Sequence, residues 1–211
     1  MTARRAAKNG RPTARRPRLS DPSHPLAWYR LLPVLFVVVS MGALLLLSKG
    51  PVDVRESQYP LEYTSEISHA ARAHQVNPYW ICAVIKAESG WNPEARSSAG
   101  AVGLMQVLPE TASELASWGS VDSALYPPDR LTDPAVNIEY GTAYLRYLVE
   151  HYHEMEPAIA AYNAGMGNVD QWMAGGGDIR DNIRFPETRA YLLNIVRYEK
   201  QYEEIYPGAF T

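Results

Sequence analysis

Between Leu31 and Leu47 the chain runs for seventeen residues, LLPVLFVVVSMGALLLL, without one charged side chain. A run of that kind buries itself or enters a lipid phase, so it splits the 211 residues into parts that face different surroundings. At ~1.5 Å rise per residue, and with Trp28 and Tyr29 added on one flank, a helix here just crosses a hydrocarbon core of about 30 Å. Charge divides at the same place. Residues 1–30 carry eight basic groups and one acid, Asp21, whereas residues 51–211 carry eleven basic and twenty-two acidic groups. A basic flank stays in the cytoplasm, which exports the remainder. A cleaved signal peptide competes with this reading, but it needs a shorter apolar core and a small-x-small cut site that SKGPVDV does not offer. The expected organisation is therefore a basic, disordered cytoplasmic tail at 1–30, an uncleaved single-pass anchor at 31–48, a linker at 49–62, and a domain at 63–211 on the outer side of the membrane.

The Arg- and Pro-rich tail, RPTARRPRLSDP, reads as a topology signal with contact to anionic lipid rather than as a nucleic-acid binder. Cys82 is the single cysteine, which excludes an internal disulfide, and it lies in an apolar helical run where a structural thiol is expected. The five histidines, at 24, 69, 74, 151 and 153, show no metal-ligand spacing. Neither a metal nor another cofactor is expected.

From Tyr63 onward no segment sustains period-two alternation, and helical patterns recur with short interruptions. Helices are expected over Thr64 to Gln75, with Thr64 as a cap, and over Pro78 to Ala87. Another should begin after Pro109, with a long one from Pro134 to Tyr152 capped by Asp133. Glu156 to Ala164, Val169 to Met173 and Pro186 to Ile205 complete the set. In the long helix Val136, Tyr140, Ala143, Tyr144, Tyr147 and Leu148 form an apolar face. The fold class is mostly α, as one domain of about 150 residues. Nearly all of the fourteen tyrosines fall in it, and a cleft lined with such rings would suit sugars.

On the second helix Ile81, Val84, Ile85 and Glu88 sit at i, i+3, i+4 and i+7, on one side. A carboxyl on an apolar face is desolvated, which raises its pKa and makes it a usable general acid near neutral pH. Glu88 could instead simply end the helix or pair with an arginine. The next segment, SGWNPEARSSAGAVGLMQ, is poor in large side chains and rich in residues that let backbone and ligand approach closely.

The series Glu88-Ser-x-x-Asn92-Pro-x-Ala95-x-Ser97-x-x-Gly100-Ala-x-Gly103-Leu-Met-Gln106-x-x-Pro109-x-Thr111 resembles the signature of the soluble lytic transglycosylase (SLT) domain. Ala161-Tyr-Asn-Ala-Gly165-x-Gly167-x-Val169 is similar to that family's second motif, and Glu187-Thr-x-x-Tyr191 to its third. One departure is Met166, where the family commonly has proline. The resemblance covers roughly Ser65 to Tyr202. It implies a lysozyme-like fold that cuts peptidoglycan between N-acetylmuramic acid and N-acetylglucosamine, with Glu88 as the single acid and base. The substrate's own acetamido group would attack the anomeric carbon, and a 1,6-anhydro ring would close without water.

The same resemblance implies further roles. Ser97 would support the acetamido group or the sugar, and Gln106 would hydrogen-bond the glycan. Tyr162 would lie near the acetamido and Glu88, and Asn163 would brace its turn. Glu187 would cap the last helix with some cleft contact. Taken singly, Ser97 is equally a turn former, Tyr162 a core residue and Asn163 a cap for its neighbours. Peptidoglycan strands and the membrane are the implied partners. A hydrolytic lysozyme and a non-catalytic peptidoglycan-binding scaffold are the competing functions.

Overall fold

A computed structural model describes residues 37, 39–41 and 56–210. The basic tail, most of the expected anchor at 31–48 and residues 49–55 of the linker lie outside the described residues. Val37, Val39, Ser40 and Met41 are helical and exposed. Among the described residues no helix is long and apolar enough to cross a membrane. The described residues 56–210 belong to one compact unit.

That unit is built of eight described helices: α1 (Thr64–His74), α2 (Pro78–Glu88), α3 (Pro109–Ser117), α4 (Pro134–Tyr152), α5 (Met155–Ala164), α6 (Met166–Met173), α7 (Ile179–Asn182) and α8 (Pro186–Ile205). Asn77 starts α2 by accepting the Tyr79 N–H at 2.9 Å, and Asp133 starts α4 by accepting that of Ala135 at 3.0 Å. A proline comes directly after each cap, where its missing N–H costs nothing.

Three details differ from expectation. Thr64 is the first residue of α1 and not its cap; Tyr63 stands there in the left-handed region, without a side-chain cap bond. The helix α6 starts at Met166, three residues before Val169, because Gly165 at φ 81° makes the turn that lets the chain re-enter a helix. The four-residue α7 has no counterpart among the expected helices; Asp178 starts it by accepting the Arg180 N–H at 2.8 Å.

Helix α8 packs on α2 and α5, and α4 packs on α1 and α5. The first half of the long helix is not a half-exposed amphipathic one, since every residue from Val136 to Ala143 is buried, whereas the second half keeps an exposed side. Its buried polar groups have partners. Glu139 meets His74 at 2.7 Å. The Asn137 amide donates to the carbonyls of Val102 and Leu131, each at 2.8 Å, and accepts the Met105 N–H at 2.7 Å. One side chain thereby ties the loop after α2 to the centre of the fold. Gly103 crosses this junction at φ 82°, and a Cβ there would collide with the Asn137 amide and the Leu131 carbonyl.

Candidate active site

Glu88 is the last residue of α2, and the face that carries it is apolar in fact: Ile81, Val84 and Ile85 are completely buried. Lys86 points away, donating to the Gln58 carbonyl at 2.5 Å with its ammonium over the Tyr59 ring. Helix α2 stops because Gly90 and Trp91 both take positive φ. The cost of that conformation at Trp91 is offset by burial. Its indole donates to the Tyr202 hydroxyl at 2.7 Å and its ring stacks on Tyr63.

The segment from Ala95 to Val107 folds back on itself. Antiparallel bridges join Val102 to Arg96 and to Val107. Ser97 makes the tip, its hydroxyl accepting the Ala101 N–H at 3.0 Å while Gly100 turns at φ 89°. The Gln106 amide donates to the carbonyls of Ala95 and Gly103, at 3.1 and 3.0 Å. Ser97 and Gln106 are therefore both engaged in holding the loop. Ser97 is exposed and Gln106 half-buried.

Across from this loop α5 and α8 bring two tyrosines. Tyr162 donates to the Met105 carbonyl at 2.8 Å, and the Glu88 carboxylate is close enough to push its phenol pKa further up. Tyr191 donates to Glu88 Oε1 at 2.5 Å. Neighbouring Asn163 accepts the Thr188 hydroxyl at 2.7 Å, which joins the end of α5 to the first turn of α8. Glu187 is exposed in that first turn, where a carboxylate suits the helix dipole.

Tyr191 is a site residue absent from the expected set. It stands within the third motif, yet nothing local in the sequence pairs it with a glutamate 103 positions away.

The Glu88 carboxyl pKa is pushed up to about 7, chiefly by desolvation. The Tyr191 hydrogen bond opposes this by favouring the charged form, and desolvation wins. Glu88 keeps some contact with solvent, as an acid that must meet a ligand requires. Among the described residues it makes no ion pair, which leaves no arginine or lysine to hold it charged. Such a group is half protonated near neutrality, so it can give a proton and take one back. Cys82 is buried and its thiol is pushed up by burial, which fits a structural residue. No group of three or more His, Cys, Asp or Glu among the described residues could hold a metal ion.

Comparison with known proteins bears on the same segment. The family described as Transglycosylase SLT domain matches residues 65–184. A soluble lytic murein transglycosylase of Escherichia coli is 33% identical over 157 residues, covering 71% of this chain and 24% of the relative. A membrane-bound lytic murein transglycosylase C of Actinobacillus pleuropneumoniae is 36% identical over 148 residues, 64% of this chain and 37% of the relative. Among solved structures, an inactive mutant of the lytic transglycosylase Slt from Pseudomonas aeruginosa superposes with a TM-score of 0.67 at 32% identity. That match covers 72% of this chain and 25% of the other. The chain thus spans between about a quarter and somewhat over a third of the length of these larger proteins. The matched segment is more than half of the chain and holds Glu88, Tyr162 and the loop between them, and on that match the chain belongs to the transglycosylase SLT domain family.

Proposed function

We propose that the protein is a peptidoglycan lytic transglycosylase held at the outer face of the cell membrane by its apolar run. The observation that carries the activity is a desolvated Glu88 bonded to Tyr191, with Tyr162 beside it and no ion pair among the described residues to keep it charged. Ordinary glycosidases set two carboxylates about the scissile bond. With a single acid, the substrate's own acetamido group can serve as the nucleophile, which is the route the family resemblance implies. Protonated Glu88 gives its proton to the oxygen between N-acetylmuramic acid and N-acetylglucosamine. That bond breaks as the acetamido carbonyl oxygen bonds to the anomeric carbon. Glu88, now a carboxylate, takes the proton of the muramoyl 6-hydroxyl, whose oxygen displaces the acetamido and closes the 1,6-anhydro ring. The proton is back on Glu88 and no water is consumed.

Tyr191 fits this cycle because its hydrogen bond steadies the carboxylate between the two proton transfers. Tyr162, fixed through Met105, would meet the acetamido group. Ser97 and Gln106 would reach the glycan from the loop, and Asn163 and Glu187 would shape the cleft at the start of α8. The inactive Pseudomonas Slt carries a glutamate-to-glutamine change, in keeping with chemistry that turns on a carboxyl. Support for the tether comes from the charge difference across Leu31 to Leu47, and a membrane-bound relative is consistent with it.

The test is mass spectrometry of muropeptides released from purified sacculi by the full-length protein in mild detergent. Anhydromuramoyl ends, one water lighter than reducing ends, are expected, and Glu88→Gln should release nothing while keeping its circular dichroism. Reducing ends would make it a hydrolase, and unchanged release by Glu88→Gln would remove that residue from the chemistry. Protease added to spheroplasts should digest the domain and spare the basic tail; the opposite pattern would reverse the topology.

A further inference from the structure

A continuous strip of aromatic rings leads away from Glu88, and the proton transfers at that residue make no use of its far end. Beside the acid, Tyr162 packs on Tyr144 with ring centroids 5.3 Å apart. Tyr144 stacks on Tyr147 at 6.4 Å and 15°. Tyr147 in turn meets Trp118 at 5.3 Å. Tyr144 and Tyr147 are half-buried, whereas Trp118 at the end of α3 leaves 55% of its surface in water. The other described tryptophans are better covered.

Carboxylates stand near the strip, and the basic groups close to it are paired with acids. On α3, Thr111, Glu114 and Trp118 fall at i, i+3 and i+7, one face, and Glu114 is near enough to raise the Tyr144 phenol pKa. Further along α4 Tyr152, close enough to Tyr144 and Tyr147 to be influenced by them, donates to Asp170 Oδ1 at 2.8 Å, and His151 Nε2 lies 3.6 Å from the same oxygen. The nearby Arg146 is already paired with Glu150.

We infer that the strip from Tyr144 to Trp118 is a distal glycan subsite, in which Trp118 stacks on a neutral N-acetylhexosamine ring of the strand held at Glu88. A pyranose ring offers an apolar C–H face and a rim of hydroxyl donors. The strip offers flat rings with two carboxylates nearby, Glu114 and Asp170, that accept hydrogen bonds. The same carboxylates repel a negatively charged ligand, so the site selects against the acidic stem peptides of peptidoglycan. This inference rests on the reading of the chain as a glycan-cutting enzyme, and its test separates the two.

Full-length protein carrying Glu88→Gln, which binds without cutting, is titrated by calorimetry with glycan strands freed of their stem peptides and with a tetrasaccharide. Adding Trp118→Ala or Trp118→Leu should weaken long-strand binding about tenfold, the worth of one stacked ring, and leave the tetrasaccharide within twofold. Trp118→Phe keeps a flat face and should recover most of the affinity. On the active background the same changes should raise KM for long strands and leave kcat within twofold. The thermal midpoint should not move, because Trp118 is mostly exposed. The subsite is overturned if Trp118→Leu binds long strands as tightly as the parent. Equal losses on both substrates with a lowered midpoint would also overturn it, since Trp118 would then only pin α3 to α4. If Trp118 governs binding while the active protein yields no anhydromuramoyl ends, the subsite stands and the enzymatic reading falls.

Discussion

Glu88 should make the domain less stable as pH rises, opposite to the behaviour of an ion-paired glutamate. Its carboxyl pKa moves from an ordinary 4.5 to about 7 on folding. Between those values the folded state keeps a proton that the unfolded chain has released, so ΔG of unfolding falls with pH. Below 4.5 both states are protonated and the effect is absent; above about 7 it is complete and constant. Each pH unit of the interval is worth ~1.4 kcal/mol, which sets an upper value of about 3 kcal/mol. The partial contact of Glu88 with solvent trims this to roughly 2 kcal/mol. Against a total stability of about 5–15 kcal/mol, a loss of that size is well resolved in urea melts. The assay compares the full-length protein with Glu88→Gln from pH 4 to 8. Glutamine has nearly the same shape and no proton to lose, and subtracting the two curves cancels every other titrating group. The difference should favour the parent at acid pH relative to neutral by about 2 kcal/mol, with its steepest part between 4.5 and 7. A flat difference, or one with the opposite slope, would show that desolvation does not dominate at Glu88 and would take away the physical basis for a neutral-pH acid.

Two further outcomes test the surroundings of the acid. Tyr191→Phe removes the hydrogen bond that lowers the Glu88 pKa, so the alkaline limb of the pH–activity profile should move to higher pH; an unmoved limb with lost activity would make Tyr191 a positioning residue only. Asn137→Ala should cost about 2–4 kcal/mol in urea unfolding, because it strands the Met105 N–H and the Leu131 carbonyl in the interior, while the Val102 carbonyl keeps the Val107 N–H; a loss under about 1 kcal/mol would mean that the loop is held by other means.

The features legible in the sequence are those that depend on neighbours within one turn. The apolar face of α2 and the Asp133 cap of α4 are local facts, and the pKa direction at Glu88 comes from its position beside Ile81, Val84 and Ile85. The four residues of α7 are too few to show a period. Burial of the polar residues on α4 leaves no local sign because their partners are remote in the chain: Asn137 reaches residues 32 and 35 positions back, and Glu139 meets His74 from 65 positions away. Within the site the same division applies. The signature segment after Glu88 is largely self-contained, for Ser97 and Gln106 spend hydrogen bonds on its own backbone. The groups that finish the acid, Tyr162 and Tyr191, arrive from α5 and α8, far along the chain from that segment, and only the resemblance put Tyr162 near Glu88. Replacing Gln106 or Ser97 would therefore disturb the loop and any glycan contact together, so a loss of activity there would not identify a ligand. Tyr191 bonds to the carboxyl itself, and a pH profile can separate its two roles. A single-acid mechanism is accordingly tested most sharply at the long-range pair of Glu88 and Tyr191.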